Sequence, residues 1–154
     1  MKTVVQALLF FAMSFQLAAQ TAPDIEIYVG LDGKGDFTSI QEAIMSVRAF
    51  TEHTSTIHIS EGVYNEKVQI PTYLNNIVLE GAGADRTIIS YNDYSGRIVD
   101  GVKLSTFTSY TLHVQGNQIE LKNLTVENTS CGQGQAVALH VDGDEFLAEN
   151  VRLL

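Results

Sequence analysis

A fifteen-residue pattern in this chain occurs twice, with five positions identical. "LHVQGNQIELKNLTV" (112–126) is followed 27 residues later by "LHVDGDEFLAENVRL" (139–153). Leu112, His113, Val114, Gly116 and Asn123 recur unchanged as Leu139, His140, Val141, Gly143 and Asn150. Ile119, Leu121, Leu124 and Val126 meet Phe146, Ala148, Val151 and Leu153, so the apolar face is kept. A repeat of this length, made of short alternating segments and turn residues, cannot bury its apolar face alone and must stack on its neighbours. The fold class expected is all-β: a single-stranded, right-handed parallel β-helix. The repeated Asn123 and Asn150 predict a ladder of side-chain amides running from coil to coil at a turn.

The rest of the chain agrees. "IEIYVG", "STIHIS", "YNEKVQIP", "NNIVLEG", "RTIIS" and "YTLHVQG" read as short strands separated by Gly, Asn and Asp. One helix is legible in "GDFTSIQEAIMSVRAF", where Phe37, Ile40, Ile44 and Val47 fall at helical spacing. Ser39 and Glu42 form a capping box, and the helix is expected over about 38–49. A solenoid exposes an apolar cross-section at each end. The helix is placed to plug the first coil. The last strand, "NVRLL", has no such cover, so the β-helix is expected to be incomplete at its C-terminal end.

Residues 1–20 read as a secretory signal peptide: Lys2, an apolar run from Val4 to Phe15, then Ala18 and Ala19. Residues 21–154 form the remaining unit. The run is short for a membrane span, so the mature protein is expected to be secreted, extracellular or periplasmic, with no membrane association after cleavage. Removing Lys2 takes the net charge from −9 to −10, which argues against nucleic acid as a partner. Cys131 is the one cysteine and excludes an intrachain disulfide. Sequons stand at Asn123 and Asn128. His113 and His140 could suggest a metal, but the sequence shows no carboxylate or Cys pattern to complete a site, so stacking on successive coils is the reading and no metal is expected. Asp142 and Asp144 read as solvated turn residues. Gly81-Ala82-Gly83 reads as a turn rather than a phosphate loop. Tyr91, Tyr94 and Tyr110 could stack on sugar rings or cover the solenoid.

The order "GDFTSIQEAI", "IHISEGVYNEKVQIP", "NIVLEGAGADRTII", "TFTSYTLHV", "LKNLTVENT", "GQAVALHVDGDEFLAENVRLL" resembles the pectin methylesterases from about Tyr28 to Leu154. The resemblance implies hydrolysis of the C6 methyl ester of homogalacturonan (pectin) to pectate and methanol, with no cofactor and a monomeric full-length protein. It implies an aspartate nucleophile, since a carboxylate attacking an ester divides one hard step into two. A second aspartate works as acid and base beside it. Neutral amide donors hold the oxyanion. Gln135, in "GQAVAL", matches the family's oxyanion and substrate-binding glutamine. Thr106, opening "TFTSYT", matches a substrate-contacting position. Tyr110 stands where a small residue is usual, and the loop "NTSCGQGQ" is short and lacks the usual proline. Both aspartates and the arginine that orients the nucleophile match positions beyond Leu154. The 154-residue chain is therefore expected to be inactive, and its uncapped last coil is expected to make it poorly soluble. The other readings are a different β-helix carbohydrate enzyme such as a pectate lyase, and a non-catalytic pectin-binding module.

Overall fold

The computed structural model describes residues 24–154; the signal-peptide reading of residues 1–20 lies outside them. The elements in chain order are β1 (Ile25–Val29), α1 (Ile40–Ser46), β2 (Ser55–Ile59), β3 (Gly62–Asn65), β4 (Val68–Ile70), β5 (Ile77–Gly81) and β6 (Thr87–Tyr91). Then come β7 (Ile98–Val99), β8 (Val102–Lys103), β9 (Tyr110–Val114), β10 (Ile119–Asn128), β11 (Val137–Val141) and β12 (Leu147–Leu153). All pairings are parallel and in register except the small antiparallel β7–β8 hairpin. Successive coils stack as a three-faced, right-handed parallel β-helix, as expected from the repeat.

One face runs β1-β2-β5 and then the first halves of β10 and β12. The second holds β3, β6 and the later part of β10. The third is β4-β9-β11. Parallel pairing puts like residues above like. Ile27, Ile57, Leu79 and Leu121 stand in one register, all buried. Tyr64, Ile89 and Val126 form a second stack, and Val68 and Leu112 a third. Each fully buried aliphatic chain contributes about 1.5–3 kcal/mol relative to exposure.

The corners explain the polar repeats. β10 passes from one face to the next at Asn123, whose φ is +53°, and β12 bends at Asn150, φ +52°. Asparagine tolerates the left-handed region better than other side chains. The Asn150 amide donates to Asn123 Oδ1 at 2.8 Å, which is the expected ladder. A second ladder lines the next corner. The Asn117 amide N–H donates to Asn75 Oδ1, and the Asp144 N–H donates to Asn117 Oδ1, each at 2.9 Å. The following residues, Asn76, Gln118 and Glu145, all have φ +57°. The corner backbones nearly touch: a Cβ on Gly116 would lie 1.8 Å from Leu74 O, and one on Gly143 would lie 1.9 Å from Gly116 O. That close approach is why glycine recurs with the period.

Helix α1 covers the N-terminal end of the core with Ile40, Ala43 and Ile44, all 0 % exposed. It is shorter than the 38–49 expected from spacing. Val47 leaves the helix in an extended conformation and turns into the core, so its apolar period continues without helical backbone. Ser39 caps the start by accepting from Glu42 N, which is one half of the expected capping box; no bond joins the Glu42 side chain to Ser39 N among the described residues. The larger share of capping comes from elsewhere. "YNEKVQIP" is two strands rather than one, and at the corner between them the half-buried Glu66 carboxylate accepts from Ser39 Oγ, Ile40 N and Gln41 N at 2.8–3.0 Å. A carboxylate there satisfies orphan N–H groups and suits the positive end of the helix. At the opposite end β12 pairs β10, and Leu147, Leu153 and Leu154 are more than half exposed.

Replacing Glu66 by Gln keeps the shape and removes the charge; it is expected to lower stability by about 2 kcal/mol in urea unfolding, the scale of hydrogen bonds to an ionised acceptor. Gly116→Ala forces backbone apart and is expected to cost at least about 2 kcal/mol. An unchanged urea midpoint in either variant contradicts the corresponding contact.

Candidate functional site

The chain between β6 and β9 leaves the coil at residue 92 and returns at 109. This excursion carries the β7–β8 hairpin and a single 3-10 turn, Thr106–Thr108. Its return is fixed by short-range capping: Ser105 N donates to Thr108 Oγ1 at 2.8 Å. The buried Ser109 Oγ donates to Thr106 O at 2.9 Å. Thr106 is thereby held at the edge of the third face.

Gln135 stands just before β11 and is exposed. Its backbone carbonyl accepts from Ser95 N at 2.7 Å and lies 3.4 Å from Ser109 Oγ. Beside it, Gly134 packs against Ser95 and Tyr94 so closely that a Cβ would lie 2.6 Å from Ser95 O. The two residues singled out from sequence meet directly: Thr106 Oγ1 donates to Gln135 Oε1 at 2.9 Å. With its oxygen occupied, the amide is oriented and its NH2 group remains to donate outward.

Beneath this pair lies a network the sequence did not reveal. Asp93, with its side chain only 5 % exposed, binds Lys67 Nζ at 2.5 Å and Arg97 Nη1 at 3.0 Å. Lys67 also donates to Thr108 O at 2.7 Å and sits 4.6 Å above the Tyr110 ring. A buried carboxylate flanked by two cations is desolvated at a cost that the pairing offsets, and removing one partner leaves a buried charge. Its structural effect is to tie the excursion to the third face. Asn128 does the same from below: its amide donates to Asp93 O, Ser109 O and Val137 O at 2.9–3.3 Å. Both sequon asparagines, 123 and 128, are thus committed to internal bonds.

Tyr110 is half-buried with Lys67 over one face and His113 4.7 Å away, so it covers the solenoid and does not offer a free ring to a sugar. Burial, with the Asp93 charge adding to it, holds the Tyr110 phenol above its ordinary range. His113 and His140 stack at 4.4 Å and 9°, as the repeat implied. Asp142, half-exposed, does not stand alone in its turn: its two oxygens reach His113 Nε2 at 2.7 Å and His140 Nε2 at 3.1 Å. The hydrogen bond from His113, helped by the charge of His140, holds the Asp142 carboxyl below the usual range. The signal existed in sequence, since residues two apart on a strand share a face. Asp144 is exposed and belongs to the corner ladder. A groove of about 270 Å³ lined by Thr54, Asn76, Gln118, Glu145 and Leu147 holds neither Thr106 nor Gln135. Among the described residues no helix is long and apolar enough to cross a membrane.

A three-faced parallel β-helix is a fold with known relatives. The protein-family model described as Pectinesterase matches residues 26–154, and the chain belongs to the pectinesterase family. It is 39% identical over 123 residues to "Probable pectinesterase/pectinesterase inhibitor 12" of Arabidopsis thaliana, covering 79% of this chain and 22% of that one. It is 31% identical to Arabidopsis "Pectinesterase 31", covering 83% and 42%. Among solved structures it is similar to the pectin methylesterase from carrot, with a TM-score of 0.75, 30% identity, and 87% and 40% of the two chains covered. A pectin methylesterase in complex with a hexasaccharide gives a TM-score of 0.73 at 28% identity, covering 84% and 43%. The chain thus spans about a fifth of several plant relatives and about two fifths of the solved structures.

A tyrosine whose folded-state pKa is raised holds its proton more tightly when folded. Its contribution to stability is complete below the ordinary value of about 10 and is lost as pH rises from there through the raised value of the folded state. Tyr110→Phe is therefore expected to flatten the alkaline fall in stability above about pH 10, read from urea midpoints across pH. An alkaline limb identical to that of the parent contradicts the assignment.

Proposed function

We propose that this chain supplies the oxyanion-binding part of a secreted pectinesterase that hydrolyses the C6 methyl esters of homogalacturonan. The observation that carries the reading is the Thr106–Gln135 hydrogen bond at 2.9 Å. It joins, at one place, the two residues that the family resemblance brings onto this chain. Thr106 occupies the amide oxygen, which leaves the Nε2 protons of Gln135 to donate to a carbonyl oxygen as it gains negative charge. A neutral donor fixed in advance stabilises that charge without reorganising as it develops.

In the proposed reaction an aspartate carboxylate adds to the ester carbonyl. The C–OCH3 bond then breaks, methoxide leaves as methanol with a proton from a second aspartate, and water cleaves the acyl-enzyme anhydride. The proposal takes neither aspartate from residues 24–154. The Asp142 carboxylate is engaged by His113 and His140 and that of Asp93 by Lys67 and Arg97, while Asp144 is an exposed turn residue whose backbone N–H joins the corner ladder. The substrate is a long polymer of like sugars, which suits a site on the side of a solenoid that is open along its axis.

The test joins residues 24–154 in register to the downstream coils of a pectin methylesterase and measures methanol release from methylated pectin. Activity is expected, with Gln135→Ala lowering kcat by about 100- to 1,000-fold, the usual loss of one oxyanion donor. Thr106→Val is expected to lower it less, by about tenfold, because the amide loses only its orientation. A Gln135→Ala protein as fast as its parent overturns the role. Methanol release by the 154-residue chain alone overturns the assignment of the aspartates. Binding of methylated pectin by the joined protein without any hydrolysis favours a non-catalytic module.

A further inference from the structure

We propose that His113, His140 and Asp142 form a binding site for one divalent late-transition-metal ion of the Zn²⁺ type on the outer surface of the third face. The site is separate from the Thr106–Gln135 pair, and the inference does not rest on the esterase reading.

Three observations converge. First, each residue offers one ligand atom, and the three atoms lie within 4.8 Å of one another. Two imidazole nitrogens and one carboxylate oxygen are a donor set suited to zinc and its neighbours and poorly suited to calcium or magnesium, which favour oxygen cages. Second, the scaffold gathers the donors before any ion arrives. His113 and His140 are register partners on adjacent parallel strands, with rings 9° from parallel. Tyr110 at 4.7 Å and Phe107 at 6.0 Å flank the two rings and limit their rotation. Asp142 follows β11 directly, and its N–H donates to Val114 O at 2.8 Å. Third, one carboxylate is shared by two imidazoles. With both rings neutral the three side chains carry a single negative charge, and a divalent ion is better matched to them than a proton is.

The distances fit a site awaiting an ion in place of protons. Donor atoms about 2.0–2.2 Å from a common ion stand roughly 3–3.5 Å apart. The present Nε2–Oδ separations of 2.7 and 3.1 Å are those of hydrogen bonds. Opening them by a few tenths of an ångström, roughly the difference between the two geometries, asks for movement only of the half-exposed Asp142. Bringing the two nitrogens together asks for a tilt of His140, whose side chain is 22 % exposed, while His113, at 10 %, stays fixed. On binding, each ring presents an unprotonated Nε2 to the ion and keeps its remaining proton on Nδ1. Water fills the outward positions.

The test uses the full 154-residue chain without an affinity tag, stripped with chelator and titrated with Zn²⁺ by calorimetry and with Co²⁺ by visible absorption. One ion per chain is expected, with Co²⁺ d–d bands, and with neither Ca²⁺ nor Mg²⁺ in excess displacing it. His140→Gln and Asp142→Asn are each expected to weaken binding at least about tenfold, at or above the loss seen when outer partners of a metal ligand are removed. Asp142→Asn keeps the turn and guards against misreading a folding defect, with far-UV circular dichroism as the check. His58→Gln is the control, because His58 with Glu26 and Glu80 is the other histidine–carboxylate grouping; it is expected to leave affinity unchanged. Absence of saturable Zn²⁺ binding, affinity in both site variants equal to that of the parent, or loss of binding in the His58 variant alone overturns the site and leaves an aspartate-bridged imidazole pair.

Discussion

Coil-on-coil pairing in exact register is the constraint from which the other features follow. Each strand's backbone groups are satisfied by the coil before and the coil after, so a residue's neighbours along the axis are set by the period and by little else. Hence Leu121 sits on Leu79, Asn150 reaches Asn123, and His140 covers His113. The same rule reaches the corners, where glycine is required because two backbones approach to contact distance. A single coil has no stability of its own; apolar stacks that run through several coils make the core continuous.

Function depends on departures from that regularity. In the proposed reaction Gln135 is available because the loop before β11 leaves the coil and is clamped again by Ser95 and Ser109. Thr106 arrives from a different departure, the excursion between β6 and β9. Their meeting requires both to be anchored, and the anchors are polar groups buried under the surface: Asp93 between Lys67 and Arg97, and Asn128 bonded to three carbonyls. These residues do no chemistry in the proposed reaction. They hold the spacing between two side chains to the tolerance a hydrogen bond demands.

What could be read in the sequence follows from the same division. The β-helix was legible because a period repeats, and Asn123 with Asn150 betrayed a ladder because identical residues fall one coil apart. The helix was legible in type but not in length, since Val47 keeps the apolar rhythm after the backbone has become extended. Glu66 was hidden because its partners, Ser39 to Gln41, lie about one coil away, 25–27 residues, but differ from it in residue type, so no recurring residue marks the contact. Asp93 was hidden because Lys67 is 26 residues away and because Arg97, though only four away, lies with it in an irregular excursion where spacing carries no signal. Asp142 was passed over although it stands two residues from His140, because turn composition invites a solvated reading and conceals a shared face. Gln135 and Thr106 were named through resemblance to a family; spacing alone gave no reason to bring them together.

The excursion at 92–109 has an evolutionary meaning. Corner positions Gly116 and Gly143 are 27 residues apart, whereas Leu74 and Gly116, equivalent by stacking, are 42 apart. The additional length is accommodated between two strands whose neighbours above and below keep their partners. A solenoid of this kind can therefore lengthen or shorten one edge of its groove by insertion and deletion, while the rest of the molecule remains unaware of the change. Diversity in what such proteins grip can be written in loop length, leaving the scaffold's own sequence free to answer only to stacking.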